Sequence, residues 1–345
     1  MKKQKPKVSI IITNYNGGQV FWDCLVSVEK IDYSNFEVIV VDDGSKDGSF
    51  GKAKRASWKA TIKFFKNKKN LGFAGANNRG CGESDGDYIL LLNNDTTVDK
   101  KLLTKLVERL ELDLSIGVAQ AKIFMMDKPG YLDNAGAFLT KTGFLSHWGF
   151  GKKDSEEYTK EREIFSAKGA CMFIRRNVVE KLGLFDADYV SYMEETDFCW
   201  RVWLAGWRII FFPETYIYHK VGFTFSNQCD PIVVNYNSFK NRILMLYKCL
   251  DTKNLFMIFV PHIILVTCLG FYYLFTLQFD KARMIYNSFV WNIKNISNAV
   301  KKRKRVQKIR VKTDNELFEV ILQKTSFIQM FANFLRVEND MKNKN

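Results

Sequence analysis

Several motifs that mark common nucleotide- and metal-binding proteins are absent from this sequence. No GxGxxG pattern follows the first apolar run, which excludes the usual dinucleotide-binding fingerprint, and the absence of GxxxxGK[ST] excludes a P-loop. The seven cysteines form no CxxC pair, so we expect reduced thiols and neither a disulfide framework nor a zinc cluster. The apolar run Val8–Ile12 is too short for the hydrophobic segment of a signal peptide, so no secretory signal is expected.

Positive charge is concentrated in the C-terminal third of the chain. The net charge is +15, and residues 240–345 contain 19 Lys and Arg against 7 Asp and Glu. This asymmetry predicts an anionic surface as partner, either a membrane or a nucleic acid. The aromatic spacing of the region matches no RNA-binding module, so we expect no nucleic-acid partner.

Apolar runs that alternate with helical patterns predict an α/β domain with a mainly parallel central sheet. Val8–Ile12 and Phe36–Val41 are runs rich in β-branched residues, and each stops at polar residues, so both are predicted to be strands. Ile89–Leu92 is continuously aliphatic, so we expect a strand buried on both faces, in the middle of a parallel sheet. Ligands bind at the carboxyl edge of such sheets, where this strand delivers Asn93, Asn94 and Asp95. An Asp there can hold a divalent cation that in turn holds a diphosphate, although the same residues also suit an ordinary turn.

Four further segments have patterns that predict a particular local structure. The Gly- and aromatic-rich stretch Asn134–Gly151 suits a flexible loop or lid over a site, and Ser191–Trp203 reads as a helix. Trp207–Pro213 and Tyr216–His219 read as separate strands.

The C-terminal region contains an uncharged stretch, Leu255–Phe279, that is long enough to cross a membrane. Basic residues flank it on both sides, which a single span does not accommodate under the positive-inside rule. Helices that lie in or dip into the cytoplasmic leaflet fit both flanks, while a span and a buried soluble helix remain as alternatives. The basic cluster Lys301–Lys312 would supply the electrostatic half of this anchor. We therefore expect a catalytic domain at 1–240 and a helical, basic, membrane-associating region at 241–345 that takes no part in the chemistry.

Seven segments of the sequence resemble the family 2 glycosyltransferases of the GT-A fold, most closely the rhamnosyltransferase-like branch. The resemblance covers roughly residues 7–245. The matching segments are Val8–Gly17, Val40–Gly48, Asn70–Asn78, Leu90–Asp95, Gly169–Arg175, Gly183–Asp186 and Tyr192–Arg201. Together, in this order, they are far more specific than any one of them.

The resemblance implies inverting transfer of a sugar from a nucleotide-sugar, dTDP-rhamnose or a UDP-sugar, to an acceptor hydroxyl. It assigns the nucleotide-sugar to a set of polar residues at the sheet edge: Thr13, Tyr15, Asp42, Asp43, Asn77, Asn93 and Asn94. Asp42 has an ordinary alternative role as the cap of the following helix.

The resemblance also implies a metal site and a general base. Asp95 matches the last residue of the family's DxD motif, in which Asn93 here replaces the first Asp, and His219 matches a family histidine able to add a ligand to Mg²⁺ or Mn²⁺. Glu194 and Glu195 stand where the family carries Glu-Asp, and the second position is the base. Because Glu replaces Asp there, the choice between Glu195 and Asp197 remains open.

The implied partners are a nucleotide-sugar donor and a lipid-linked saccharide or polysaccharide acceptor. The expected location is cytoplasmic, peripheral or monotopic on the inner face of the cell membrane. A sugar nucleotidyltransferase is an alternative, but the glycine-rich phosphate loop with a basic residue that it would require is missing from Thr13–Gly18. A non-enzymatic protein that docks on membranes or nucleic acid is the other alternative.

Overall fold

A computed structural model describes residues 5–222 and 230–323 of the chain. The N-terminal half alternates strands and helices: β1 Val8–Asn14, α1 Gly18–Val28, β2 Phe36–Asp42, α2 Ser49–Arg55, β3 Ile62–Lys66, α3 Gly72–Gly82, β4 Tyr88–Asn93, β5 Thr96–Val98 and α4 Leu102–Leu112. The middle of the chain forms β6 Ile116–Met125, β7 Leu132–Asn134, β8 Ala137–Leu139, β9 Leu145–His147, β10 Arg162–Glu163, β11 Cys171–Arg175, α5 Arg176–Leu182, α6 Glu194–Leu204 and β12 Arg208–His219.

Helices make up the C-terminal part of the chain. They are α7 Pro231–Cys249, α8 Thr252–Phe275, α9 Phe279–Lys294, α10 Ile296–Lys308 and α11 Asp314–Ile321. The expected domain boundary at 240/241 falls inside α7.

The central sheet has the strand order β10-β12-β6-β11-β4-β1-β2-β3. Strands β3, β2, β1 and β4 run parallel to one another, as do β6 and β12. The expectation that β4 lies between parallel neighbours is wrong on one side, because β11 pairs with it in the antiparallel sense. The reversal follows from chain direction: β11 enters from Lys168 and runs back toward the amino-terminal edge of β4.

Both faces of the sheet are buried. Along β1, Ile10 and Ile12 pack on one face with residues of α1 and α4, while Ile11 packs on the other with residues of α3 and α6. Such continuous burial explains the unbroken aliphatic runs Ile10–Ile12, Val38–Val41 and Ile89–Leu92 in the central strands β1, β2 and β4.

Two segments differ from the sequence expectations. Asn134–Gly151 is not a flexible loop, because β8 and β9 pair as a hairpin in which Phe138 and Leu139 are buried. The two strands predicted around Pro213 form the single strand β12, which stays paired with β6 across an irregularity between Phe212 and Tyr216. A bulge accommodates the proline without ending the strand.

The backbone turns sharply before α6. Val190, Tyr192 and Met193 all have positive φ, at 61°, 72° and 71°. This left-handed region is unfavourable for residues other than glycine, and especially for a β-branched valine, so the neighbouring structure must hold it in place. Asn241 of α7 does so: its Nδ2 lies within 3.0 Å of the carbonyl oxygens of Tyr189, Ser191 and Tyr192.

Helix α8 carries the uncharged stretch. It is long and apolar enough to cross a membrane by length and composition, and 17% of its most apolar window is buried. Its exposed residues include Phe256, Met257 and Phe275, which is 84% exposed. The structure therefore does not show a buried soluble helix.

The basic cluster of the C-terminal region is only partly a free surface. Lys302 forms ion pairs with Asp186 and Asp188, and Arg303 donates to the backbone carbonyl oxygens of Tyr247 and Leu250. Lys301, Lys304 and Arg305 remain exposed. Lys302 and Arg303 therefore fasten α10 to the rest of the protein, and Lys301, Lys304 and Arg305 are members of the cluster that could supply the expected electrostatic part of an anchor.

Candidate active site

The carboxyl edge of the sheet brings Asp95 and His219 together. Asp95 follows β4, and the pairing of β12 with β5 sets His219 opposite Thr96. The Lys220 amide donates to the Asp95 carbonyl at 2.9 Å, which continues the backbone pairing of β5 with β12 by one more hydrogen bond. As a result His219 Nε2 lies 3.2 Å from Asp95 Oδ1, with both side chains buried.

Asp133 orients the His219 ring from the other side. Its Oδ2 lies 2.9 Å from His219 Nδ1, and it also accepts from Lys168 Nζ at 2.6 Å. Burial on its own would lower the pKa of His219, but the bonds to Asp133 and Asp95 raise it. Burial would raise the pKa of Asp133, yet His219 and Lys168 lower it to about 2. Asp133 is thus a carboxylate that fixes one ring nitrogen and leaves Nε2 directed at Asp95.

This geometry suits a divalent cation. Asp95 Oδ1 is buried and has no hydrogen-bond partner. When the ring is neutral and donates from Nδ1 to Asp133, its Nε2 lone pair faces the Asp95 carboxylate, and either a proton on Nε2 or a cation held between the two groups removes the repulsion. Two adjacent ligands of an octahedral cation at about 2.1 Å lie about 3.0 Å apart, close to the observed separation. A carboxylate–histidine pair of this kind is a recurring support for metal-binding imidazoles.

The protein supplies few ligands of its own. Within residues 5–222 and 230–323, no group of three His, Cys, Asp or Glu side chains is placed to hold a metal ion together. Mg²⁺ and Mn²⁺ sites of nucleotide enzymes commonly use one or two protein ligands and take the rest from substrate phosphates and water. Asp95 and His219 fit that arrangement.

Asp42 and Asp43 are engaged by protein donors. The parallel pairing of β1 with β2 sets Asn14 beside Asp42, and Asn14 Nδ2 donates to Asp42 Oδ1 at 3.0 Å. Asp43 accepts from Asn67 Nδ2 and from the amides of Leu71 and Gly72, all within 3.0 Å. The two carboxylates therefore hold the loops that follow β2 and precede α3.

The other residues predicted for the nucleotide differ in accessibility. Thr13 pairs with Asn93 in the sheet, and both are partly exposed, while Tyr15 is exposed. Asn94 is buried and donates to Asn14 Oδ1 at 2.9 Å. Asn77 is also buried and donates to the Phe73 carbonyl inside α3. Thr13, Tyr15 and Asn93 are thus the members of the set that offer surface to a ligand.

Glu194 and Glu195 begin α6 immediately after the strained turn. Glu194 is buried, Glu195 is partly exposed, and one carboxylate oxygen of each is buried without a hydrogen-bond partner. Burial raises the pKa of Glu195, and burial with the neighbouring Glu195 charge raises that of Glu194 further. A carboxylate with an elevated pKa and an unpaired oxygen has the properties of a general base.

Asp197 has a different environment. It is fully buried and accepts from Tyr189 Oη at 2.8 Å, from Arg201 Nε at 3.0 Å and from Lys248 Nζ at 2.8 Å. Burial alone would raise its pKa, but Lys248 and Arg201 lower it. Its oxygens are occupied by protein donors.

The sequence analysis missed Asp133, Lys168 and Arg242. Asp133 lies in the segment Leu132–Gly136, three residues before the glycine, and no local pattern marks it as a functional residue. Lys168 lies close to α6, since Ser166 Oγ donates to Thr196 Oγ1 at 3.2 Å and the Ala167 amide to Cys199 Sγ at 3.4 Å. No sequence signal distinguishes Lys168 or Arg242 from the other basic residues.

The family follows from comparison of the sequence with known families. Residues 9–183, just over half of the chain, match the model of glycosyl transferase family 2. The chain belongs to this family of glycosyltransferases, which removes the nucleotidyltransferase and the non-enzymatic docking protein as alternatives.

Individual relatives are distant. A poly-β-1,6-N-acetyl-D-glucosamine synthase of Staphylococcus aureus is 23% identical over 206 residues, 60% of this chain and 48% of the relative. The chain therefore spans about half the length of the curated relatives it matches.

Solved structures confirm the GT-A fold. A structure of GalNAc-T7 with UDP, GalNAc and Mn²⁺ matches with a TM-score of 0.59 and 17% identity, over 73% of this chain and 49% of that one. The mannosyltransferase PcManGT of Pyrobaculum calidifontis, in complex with GDP-Man and Mn²⁺, matches with a TM-score of 0.53 and 14% identity, over 89% and 84% of the two chains. Both neighbours were solved with a nucleotide and a divalent metal.

Proposed function

We propose that this protein transfers a sugar, with inversion, from a nucleoside-diphosphate sugar to a hydroxyl group of a lipid-linked or polysaccharide acceptor. The observation that carries the proposal is the pair of Asp95 Oδ1 and His219 Nε2, 3.2 Å apart at the carboxyl edge of the sheet. The donor is dTDP-rhamnose or a UDP-sugar, because the sequence resembles the rhamnosyltransferase-like branch and some neighbours bind UDP.

The donor lies along the carboxyl edge. Thr13, Tyr15 and Asn93 border the nucleoside, and Asp42 and Asp43 hold the adjoining loops. Asp95 and His219 would hold Mg²⁺ or Mn²⁺, with Asp133 fixing the imidazole. The bound cation supplies positive charge that offsets the charge developing on the departing diphosphate.

Glu195 is the proposed base. Its carboxylate takes the proton from the acceptor hydroxyl as the oxygen attacks the anomeric carbon, and the bond from that carbon to the diphosphate breaks on the opposite face. The unpaired Glu195 oxygen supports this role, whereas Asp197 is saturated by Tyr189, Arg201 and Lys248. We assign Asp197 to holding α6.

Location at a membrane is part of the proposal. Exposed Phe256, Met257 and Phe275 on α8 form an apolar surface of the kind that soluble monomers rarely leave open. Lys253 and Arg283, also exposed, add positive charge close to it. We place this surface on the cytoplasmic leaflet, where a lipid-linked acceptor would present its sugar.

A nucleotide panel tests the donor assignment. Thermal unfolding is measured with UDP, dTDP and GDP, each with Mn²⁺ or with EDTA, because a ligand that binds only the native state raises the melting temperature. At 100 times Kd the added stability is about 2.7 kcal/mol. We expect UDP or dTDP with Mn²⁺ to stabilise the protein. If none of the three nucleotides stabilises the protein, the proposal is contradicted. Turnover is tested separately, by measuring release of the nucleoside diphosphate from the sugar donor that carries the preferred nucleotide.

A further inference from the structure

Arg242 of α7 has a guanidinium group with no carboxylate partner among the described residues. Its Nη2 donates to Ser238 Oγ at 3.1 Å and lies 4.0 Å from Met193 Sδ. The ring of Phe144 lies 4.8 Å from the guanidinium carbon, and Nε is buried without an acceptor. Burial lowers the pKa of Arg242 to about 10, so the group remains charged at neutral pH.

Other inward-facing arginines of the chain are fully engaged. Arg175 donates to backbone carbonyls, Arg201 pairs with Asp197, and Arg310 pairs with Asp314. Arg242 keeps part of its surface exposed, yet its charge meets only a hydroxyl group, a thioether and aromatic rings, and its buried Nε has no acceptor. An anion that reaches the exposed side of the guanidinium would supply the missing acceptor and the counter-charge.

Arg242 contacts the residue that directly precedes the two glutamates of α6, one of which is the proposed base. Met193, which Arg242 contacts, directly precedes Glu194 and Glu195. Lys168, bonded to Asp133, also lowers the pKa of Glu195 against the effect of burial.

The other side of Arg242 faces the apolar helix. Phe144, which lies over Arg242, also contacts His262 of α8, with ring centroids 4.8 Å apart. His262 Nδ1 lies 2.8 Å from the Thr142 carbonyl, so α8 is fastened beside the β8–β9 hairpin. From this helix Val260 and Ile264 are exposed. Arg242 is thus linked through Met193 to the helix that carries the candidate base, and through Phe144 and His262 to the helix that carries the exposed apolar residues.

We propose that Arg242 binds a phosphate group of the acceptor, between the sugar whose hydroxyl meets Glu195 and an apolar chain that rests on α8. The inference rests on the proposed function and narrows its acceptor to a phosphate-bearing molecule. The planar guanidinium matches phosphate oxygens with two parallel hydrogen bonds. A lipid phosphate and a phosphodiester within a polymer share this chemistry, and only the first also occupies α8.

Calorimetric titration without metal tests the subsite. The probes are dodecyl phosphate below its micelle concentration, glycerol 3-phosphate and inorganic phosphate, in buffer containing EDTA. We expect Arg242→Met to weaken phosphate binding about 10–100-fold, the range for a lost charge-assisted bond. Arg242→Lys, which keeps the charge but not the two parallel hydrogen bonds, should weaken binding less than Arg242→Met does. Arg305→Met, which removes an exposed charge from α10, is the matched control and should behave as the wild type.

The probes separate the two sources. Dodecyl phosphate binding much more tightly than glycerol 3-phosphate supports a lipid phosphate, and equal affinities support a phosphodiester. Equal binding by wild type and Arg242→Met, or no binding of any probe by the wild type, would overturn the subsite. UDP with Mn²⁺ is titrated in parallel: its binding should survive Arg242→Met, and failure of the wild type to bind any nucleoside diphosphate would count against the proposed function, whatever the phosphate result.

Discussion

Lys248 Nζ lies 2.8 Å from Asp197 Oδ1, so that a lysine of α7 neutralises a buried carboxylate of α6. The same ammonium group lies 2.8 Å from Asp186 Oδ2, and Lys302 of α10 pairs with Asp186 as well. The C-terminal helices are therefore joined to the helix that carries Glu195 by a buried ionic network. This differs from a separate membrane anchor that could be removed without effect on the catalytic domain.

Lys248→Met should destabilise the protein at neutral pH. It leaves Asp197 and Asp186 with fewer counter-charges, and breaking a buried pair from one side typically costs about 3–5 kcal/mol. Urea unfolding at pH 7 measures the loss, and Lys304→Met, which removes an exposed charge, is the control. A loss below about 1 kcal/mol would show that the network is not important for stability.

The same network predicts the direction of a pH effect. Although burial would raise both, Lys248 and Lys302 lower the pKa of Asp186, and Lys248 and Arg201 lower the pKa of Asp197, from the ordinary value of 3.8. A depressed pKa in the folded state contributes stability above the unfolded value, and that stability disappears as the pH falls. The difference in unfolding free energy between wild type and Lys248→Met should therefore shrink as the pH is lowered below about 4. A difference that grows there would contradict the assignment.

Asn241→Leu should lower turnover while leaving the affinity for nucleoside diphosphate unchanged. The change removes the donor that holds three carbonyls of the left-handed turn before Glu194. We expect at least about a 10-fold loss in kcat, since small misplacements of a catalytic group reduce rates strongly. Asn292→Leu removes a similar bond between α9 and α7 and serves as the control for general destabilisation. Equal effects of the two substitutions would show that the turn has no special role.

Glu195→Gln should reduce turnover by roughly 10²–10⁴, the usual contribution of a general base. Donor binding should be unchanged. Because the base acts when deprotonated and burial raises the pKa of Glu195, activity should decline with falling pH at a value above the ordinary 4.5. If Glu195→Gln retains activity under assay conditions in which a stably folded Asp197→Asn does not, the base has been assigned to the wrong residue.

The double substitution Phe256→Ser with Phe275→Ser should release the protein from membranes. Full burial of one such ring contributes about 1.5–3 kcal/mol, so losing both should weaken binding at least 10-fold. Sedimentation with phosphatidylglycerol-containing vesicles at low and high salt measures it, and high salt alone should weaken wild-type binding only partly. If the wild-type protein stays in the supernatant at low salt, the proposal that it binds a membrane is contradicted.

The sequence predicts the sheet better than it predicts the site. Apolar runs such as Ile89–Leu92 specify buried strands because burial on both faces requires them. The direction of β11 cannot be read in this way, since an aliphatic strand looks the same in either orientation. Charge counts likewise cannot separate Lys302, which forms two ion pairs, from the exposed Lys304. Asp133 contacts His219, which is 86 residues away along the chain, and Arg242 contacts Met193, which is 49 residues away, together with the ring of Phe144. No local sequence pattern specifies contacts of this kind.

The most direct test of the central claim is calorimetric titration of the preferred nucleoside diphosphate into wild type and Asp95→Asn, with Mn²⁺ and with EDTA. The account predicts that EDTA weakens wild-type binding at least 10-fold, and that Asp95→Asn binds weakly in both buffers with unchanged thermal stability. The same variant should leave the Arg242 phosphate subsite intact. Wild-type affinity that is equal with and without Mn²⁺, or an Asp95→Asn protein that keeps the full metal dependence, would contradict a cation held by Asp95 and His219.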